Sequence, residues 1–157
     1  MPRHSRFCAD FGSKLKTKIL LLMSLIAESK YLGELRCISL HNKSKNAITT
    51  DAPIDNHGKG ESFSPTDLLC VSLATCMMTI MGIAAKARNL NIDNTDCEIE
   101  KVMSPSPRKV AEIIITFSFP QNNFSEEEKE ALRRAAYSCP VALSLHPDLK
   151  KTVNFHF

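Results

Sequence analysis

Residues 64–89 read SPTDLLCVSLATCMMTIMGIAAKARN, and the fold is decided by how this stretch is read. Ser64 offers an N-cap oxygen, Pro65 occupies the first helical position where its missing N–H costs nothing, and Asp67 stands three residues after the cap. The spacing predicts a helix from that cap to about Asn89. Leu68, Leu69, Val71, Leu73, Met77, Ile80, Met81 and Ile83 place apolar side chains on most of its faces. Such a helix belongs in the middle of a structure, sandwiched on more than one side.

Upstream, residues 32–42 and 46–51 read as two strands joined by Lys43-Ser44-Lys45, and residues 52–63, with Pro53, Gly58 and Gly60, read as a loop. Downstream, residues 96–103 and 109–119 form a strand pair around Ser104-Pro105-Ser106-Pro107. Glu98, Glu100, Glu112 and Thr116 are placed on its solvent face, and Ile99, Val102, Ile113, Ile115 and Phe117 in the core. Ser125-Glu126-Glu127-Glu128 is a capping box that opens a helix to about Tyr137. A short helix follows over 141–145, and residues 152–157 form a closing strand. The order ββ-α-ββ-α-α-β is an α+β arrangement in which antiparallel strands pack on a buried helix.

The chain has 157 residues, of which 43% are hydrophobic and 24% charged, with only 5 Gly and 8 Pro. That composition suits one domain with a real core and excludes disordered, collagen-like and low-complexity chains. No apolar run approaches the roughly 18 residues of a membrane span, so no membrane partner is expected. The net charge of +3 is concentrated in residues 1–22, where Arg3, Arg6, Lys14, Lys16 and Lys18 face only Asp10. With a nearly neutral body, no Trp and no basic stripe, nucleic acid is not an expected partner. Residues 1–22 read as a basic N-terminal extension ahead of a domain over 23–157. Three readings stay open for it: a leader upstream of a true start at Met23, an export signal, or an ordered extension.

The 6 cysteines, Cys8, Cys37, Cys70, Cys76, Cys97 and Cys139, contain no CxxC pair and no zinc-ligand spacing, so no metal is expected. Neither a phosphate-binding glycine motif nor GxSxG occurs, and no cofactor is expected. Reduced thiols in a cytoplasmic protein fit the apolar settings of these cysteines better than a disulfide framework does. Cys70 and Cys97 read as packing, and Cys37 points away from its neighbour Arg36 in a strand. Cys76, inside the apolar helix, is either a small buried hydrophobe or a reactive thiol. Cys139 precedes Pro140 at a helix start, where N–H groups and the helix dipole stabilise a thiolate; a plain cap or core role stays open beside that. His57, Lys59 and Glu61 crowd the glycine-containing loop, and loops of that kind carry function.

Phe63-Ser64-Pro65-Thr66-Asp67-Leu68-Leu69 followed by Ser72-Leu73-Ala74-Thr75-Cys76-Met77 resembles the first cysteine helix of the OsmC/Ohr family of osmotically inducible and organic hydroperoxide resistance proteins. Ser138-Cys139-Pro140-Val141 resembles its second cysteine motif, at the interval that family shows. The resemblance covers roughly residues 30–157. It implies antiparallel sheets around a central buried cysteine-bearing helix, built as an intertwined homodimer. It also implies reduction of organic hydroperoxides, with Cys76 attacking the peroxide and Cys139 resolving to a disulfide. A dithiol or lipoyl-type reductant would restore the thiols. The best-studied branches carry a glutamate ten residues before the first cysteine, paired with an activating arginine. Here Thr66 holds that position, Asp67 is the nearest carboxylate, and residues 55–62 contain no arginine. Arg36, His57 and Lys59 are therefore the candidate cations, and the match is nearer to the OsmC-like branch. Two other readings are a non-catalytic dimer binding a small hydrophobic ligand and a redox sensor. All three share an apolar pocket at Cys76, to which Leu69, Leu73, Met77 and Ile80 are assigned.

Overall fold

The computed structural model describes residues 25–120 and 123–157; the predicted extension over residues 1–22 lies outside them. The chain divides into two compact units, one ending at Ser64 and one running from Pro65 to Phe157.

In the first unit, β1 (Ala27–Gly33), β2 (Arg36–His41) and β3 (Ala47–Asp51) form an antiparallel sheet in that order. The single strand predicted over 32–42 is thus broken, and β1 was not predicted. The break is a two-residue turn in which Glu34 (φ 48°) and Leu35 (φ 60°) are both left-handed. That geometry matches the twist of a hairpin and normally calls for Asn or Gly, so Glu-Leu gave no signal. The loop after β3 holds a single 3₁₀ turn over Ile54–Asn56. A Cβ on Gly58 would lie 1.7 Å from the Ala52 carbonyl oxygen, so only glycine lets the chain pass there.

In the second unit, α1 (Pro65–Lys86) begins where Pro65 and Asp67 predict. It is followed by β4 (Asp96–Pro105), β5 (Arg108–Ser118), α2 (Glu126–Tyr137), α3 (Pro140–Ser144) and β6 (Lys150–His156). The α+β class stands. The sheet order is β4-β5-β6, with β4 and β5 antiparallel. β5 and β6 run parallel, from Glu112 opposite Lys150 to Ser118 opposite His156. The all-antiparallel expectation is therefore corrected: α2 and α3 together carry the chain back across the sheet, which a hairpin cannot do. The capping box at Ser125 closes as read, with Glu128 N–H donating to Ser125 Oγ and Ser125 N–H to Glu128 Oε2.

The core is made by one stripe of α1 (Cys70, Leu73, Ala74, Met77, Met81 and Ala85) against Ile113, Ile115 and Phe117 of β5, with Leu132 and Ala136 of α2. Val102 is 43% exposed, against its predicted core position. On β4 Cys97, Ile99, Lys101 and Met103 are half-buried, as is Ser104 beyond a register shift at Val102–Met103, so the alternation turns Val102 outward and Lys101 inward. By length and apolar character alone α1 is sufficient to cross a membrane, contrary to the reading of the apolar runs. One stripe of it, with Leu73 and Met77 fully buried, packs in the core of this unit.

Candidate active site

α1 presents its cysteines at two depths. Cys70 is buried in the core stripe, and burial pushes its thiol pKa up. Cys76, six residues on, is only half-buried. Flanking it on the outer side, Thr75 and Thr79 turn their hydroxyls back to the carbonyls of Val71 and Thr75, both at 2.8 Å. Both hydroxyls are thus engaged within the helix itself.

α2 ends at Ser138, and the chain restarts as α3 with Cys139 as N-cap and Pro140 at the first helical position. The Cys139 sulfur accepts the Ala142 N–H at 3.2 Å, and the residue is fully buried. The helix-start location agrees with the sequence reading, but the acidity does not. Burial raises the Cys139 pKa more than the Ala142 N–H lowers it, and the neighbouring Cys76 sulfur raises it further. The structure thus brings Cys76 and Cys139 together as free thiols of unequal access. Cys76 is partly open to solvent, and Cys139 is closed off from it.

Of the pocket residues assigned to Cys76, Leu73 and Met77 are fully buried and belong to the core instead. A helix cannot turn every apolar side chain to one opening, and these two face the sheet. Leu69 lines a cavity of about 360 Å³, and Ile80 is half-buried.

Asp67 is not a spare carboxylate. Lys101 of β4 donates to Asp67 Oδ1 at 2.5 Å and to Thr66 Oγ1 at 3.0 Å. An ammonium group therefore sits against the residue found at the family's glutamate position. Sequence reasoning missed Lys101, although its inward place in the alternation of Cys97, Ile99 and Met103 was available.

In the first unit the loop and strand candidates form their own network. Arg36 donates through Nε to Asp51 Oδ1 and through Nη2 to Asp51 Oδ2, both at 2.7 Å, and Nη2 also reaches Glu61 Oε2 at 2.6 Å. Asp51 is only 2% exposed, and its hydrogen bonds to Arg36 hold its carboxyl below the usual range. The same pairing holds the guanidinium firmly charged. Glu61 N–H also donates to Asp51, tying the loop to β3. Lys59 pairs with Glu34 across the hairpin turn, which lowers the Glu34 pKa and raises that of Lys59. His57 is a left-handed residue closing the 3₁₀ turn. Asp51, the last residue of β3, is the second residue that the sequence reading missed. Among the described residues no group of three metal-binding side chains occurs.

The sequence profile described as OsmC-like protein matches residues 58–154. No curated protein matches the chain. A crystal structure from Psychrobacter arcticus, provisionally assigned as an osmotic stress induced and detoxification response protein, is 45% identical, with a TM-score of 0.80. The match covers 83% of this chain and 95% of that one. The organic hydroperoxide resistance protein OsmC from Legionella pneumophila is 15% identical over 83% of this chain and 96% of its own, with a TM-score of 0.65. The OsmC-like protein from Mycoplasma pneumoniae is 21% identical over 82% and 93%, with a TM-score of 0.69. The two remote structures share the fold; the profile, whose match spans both cysteine helices, and the Psychrobacter protein share the sequence as well. The chain accordingly belongs to the OsmC-like protein family.

Proposed function

We propose that this protein reduces organic hydroperoxides with the thiol pair Cys76 and Cys139. The observation that carries the reading is their unequal access: an approachable thiol on α1 beside a fully buried one at the start of α3. A Cys76 thiolate attacks the peroxide, forming an S–O bond as the O–O bond breaks. The alkoxide takes a proton and leaves as an alcohol. Cys139 then attacks the Cys76 sulfenic sulfur, an S–S bond forms, and the hydroxyl leaves as water with the Cys139 proton. A dithiol or lipoyl-type reductant restores both thiols by two exchanges and leaves as its own disulfide. Burial suits Cys139 to this order, because a thiol hidden from solvent is spared direct oxidation. The name of the Legionella relative points to the same substrate class.

For the activating cation, Arg36 has the best chemistry of the three candidates. Its charge is permanent, two carboxylates fix its plane, and its Nη1 edge is left for another group. Lys59 is paired with Glu34. A homodimer is part of the proposal: α1 buries one stripe, while Ile83 is 62% exposed and Leu68, Val71 and Met78 are only half-buried. A second copy would complete the cover and make the cysteine helix central. A cytoplasmic location is proposed from the five free thiols among the described residues.

The test is consumption of an alkyl hydroperoxide with dithiothreitol as reductant. Wild type should turn over repeatedly, and Cys76→Ser should fall to the uncatalysed rate. Equal, slow consumption by both would refute the proposal.

A further inference from the structure

We propose that the cavity lined by Leu69, Lys109, Val110, Leu145, His146 and Leu149 binds a medium-chain carboxylate, tail inward and head on Lys109 and His146. Its volume is about 360 Å³, within the range of small-ligand sites. Four of the six lining residues are aliphatic, and Val110 and Leu149 are buried, so the walls belong to the packed core. The other two lining residues are potential cations.

Lys109 has no ion-pair partner among the described residues, and its four-carbon stem lets the ammonium follow a ligand head. His146 is oriented: its Nδ1 accepts the Asp148 N–H at 3.2 Å, which leaves Nε2–H as the donor of the neutral ring. An apolar hollow with donors and positive charge at its lining is complementary to an amphiphilic anion. A neutral or cationic amphiphile would leave those donors unused or repelled.

Volume sets the length. At the roughly 30 Å³ that one water-sized group occupies, the cavity takes about twelve non-hydrogen atoms, the number in decanoate. The cavity lining includes neither Cys76 nor Cys139. The proposal does not rest on the peroxidase reading, although Leu69 is among the residues assigned to the Cys76 pocket.

The experiment is calorimetric titration of the reduced full-length protein with hexanoate, octanoate, decanoate, decylammonium and decanol, each below its micellar concentration. Each methylene up to decanoate should tighten binding about fourfold, or about 0.8 kcal/mol. Lys109→Glu, at an exposed position, should weaken decanoate at least tenfold and leave decanol unaffected. Val110→Phe should abolish both by filling the hollow, with the melting curve checking that it folds. The double variant Cys76→Ser, Cys139→Ser should bind decanoate like wild type, which separates this result from any failure of peroxide turnover. The proposal is overturned if affinity ignores chain length, if Lys109→Glu binds decanoate as wild type does, or if decylammonium binds as tightly as decanoate.

Discussion

Replacing Cys139 by alanine and by serine should separate its structural role from its redox role. The sulfur accepts the Ala142 N–H and caps α3 from a fully buried position. Alanine leaves that N–H without a partner, and loss of an N-cap costs about 1 kcal/mol. It also leaves a void of about 25 Å³, worth about 0.6 kcal/mol at 24 cal/mol per Å³. The total is about 1.5 kcal/mol. Serine keeps a capping oxygen at the same position and is among the preferred N-caps, so its cost should stay near 0.5 kcal/mol. The gap of about 1 kcal/mol corresponds to about 3 °C in Tm for a chain of this size. Urea denaturation in dithiothreitol, followed by far-ultraviolet circular dichroism, measures it without interference from oxidation. Both variants should have lost the ability to form the disulfide. If alanine is as stable as serine, the Cys139 sulfur is not a cap, and the account of why it stands at this helix start fails.

Asp51→Asn should destabilise the protein at neutral pH. The Asp51 pKa is depressed, first by its hydrogen bonds to Arg36, so its contribution is complete above the ordinary carboxylate value of about 4 and is lost as pH falls through the lowered value. Urea melts should therefore show the gap to wild type closing as pH is lowered; a gap that stays constant would mean the ion pair is not its source. Leu73→Ala, in the fully buried stripe of α1, should cost about 3 kcal/mol by the same assay, and a cost under about 1 kcal/mol would contradict the packing. Ile83→Glu should convert a dimer to monomers in sedimentation equilibrium while leaving the circular dichroism spectrum unchanged; a dimer that survives it would place the interface away from the outer face of α1.

Much of the fold was legible because its punctuation is local. Pro65 with Asp67 and the Ser125 capping box satisfy helix ends within three residues of sequence, and both helices begin where those residues say. The Glu34-Leu35 turn was illegible because nothing in those side chains favours a left-handed backbone; the pairing of β1 with β2 imposes it. The parallel β5–β6 pairing depends on two helices between the strands, a relation no local pattern carries. At the site, the two cysteine motifs announced themselves, but their chemistry did not. The helix start at Cys139 suggested a stabilised thiolate, whereas burial by residues distant in sequence outweighs it. Asp51 and Lys101 were missed for a related reason. A charged side chain acquires a role only when the fold turns it inward to a partner, as Arg36 and Asp67 are for these two.

The central claim is that an accessible Cys76 is oxidised first and a buried Cys139 resolves it. Intact-mass and peptide mass spectrometry after one equivalent of cumene hydroperoxide, without reductant, tests it most directly. Wild type should lose about 2 Da, mapped to a Cys76–Cys139 disulfide, and Cys139→Ser should gain about 16 Da at Cys76 as the trapped sulfenic acid. Cys76→Ser should remain at its starting mass. Oxidation of Cys139 in Cys76→Ser at the wild-type rate, or a disulfide that excludes either residue, would contradict the claim.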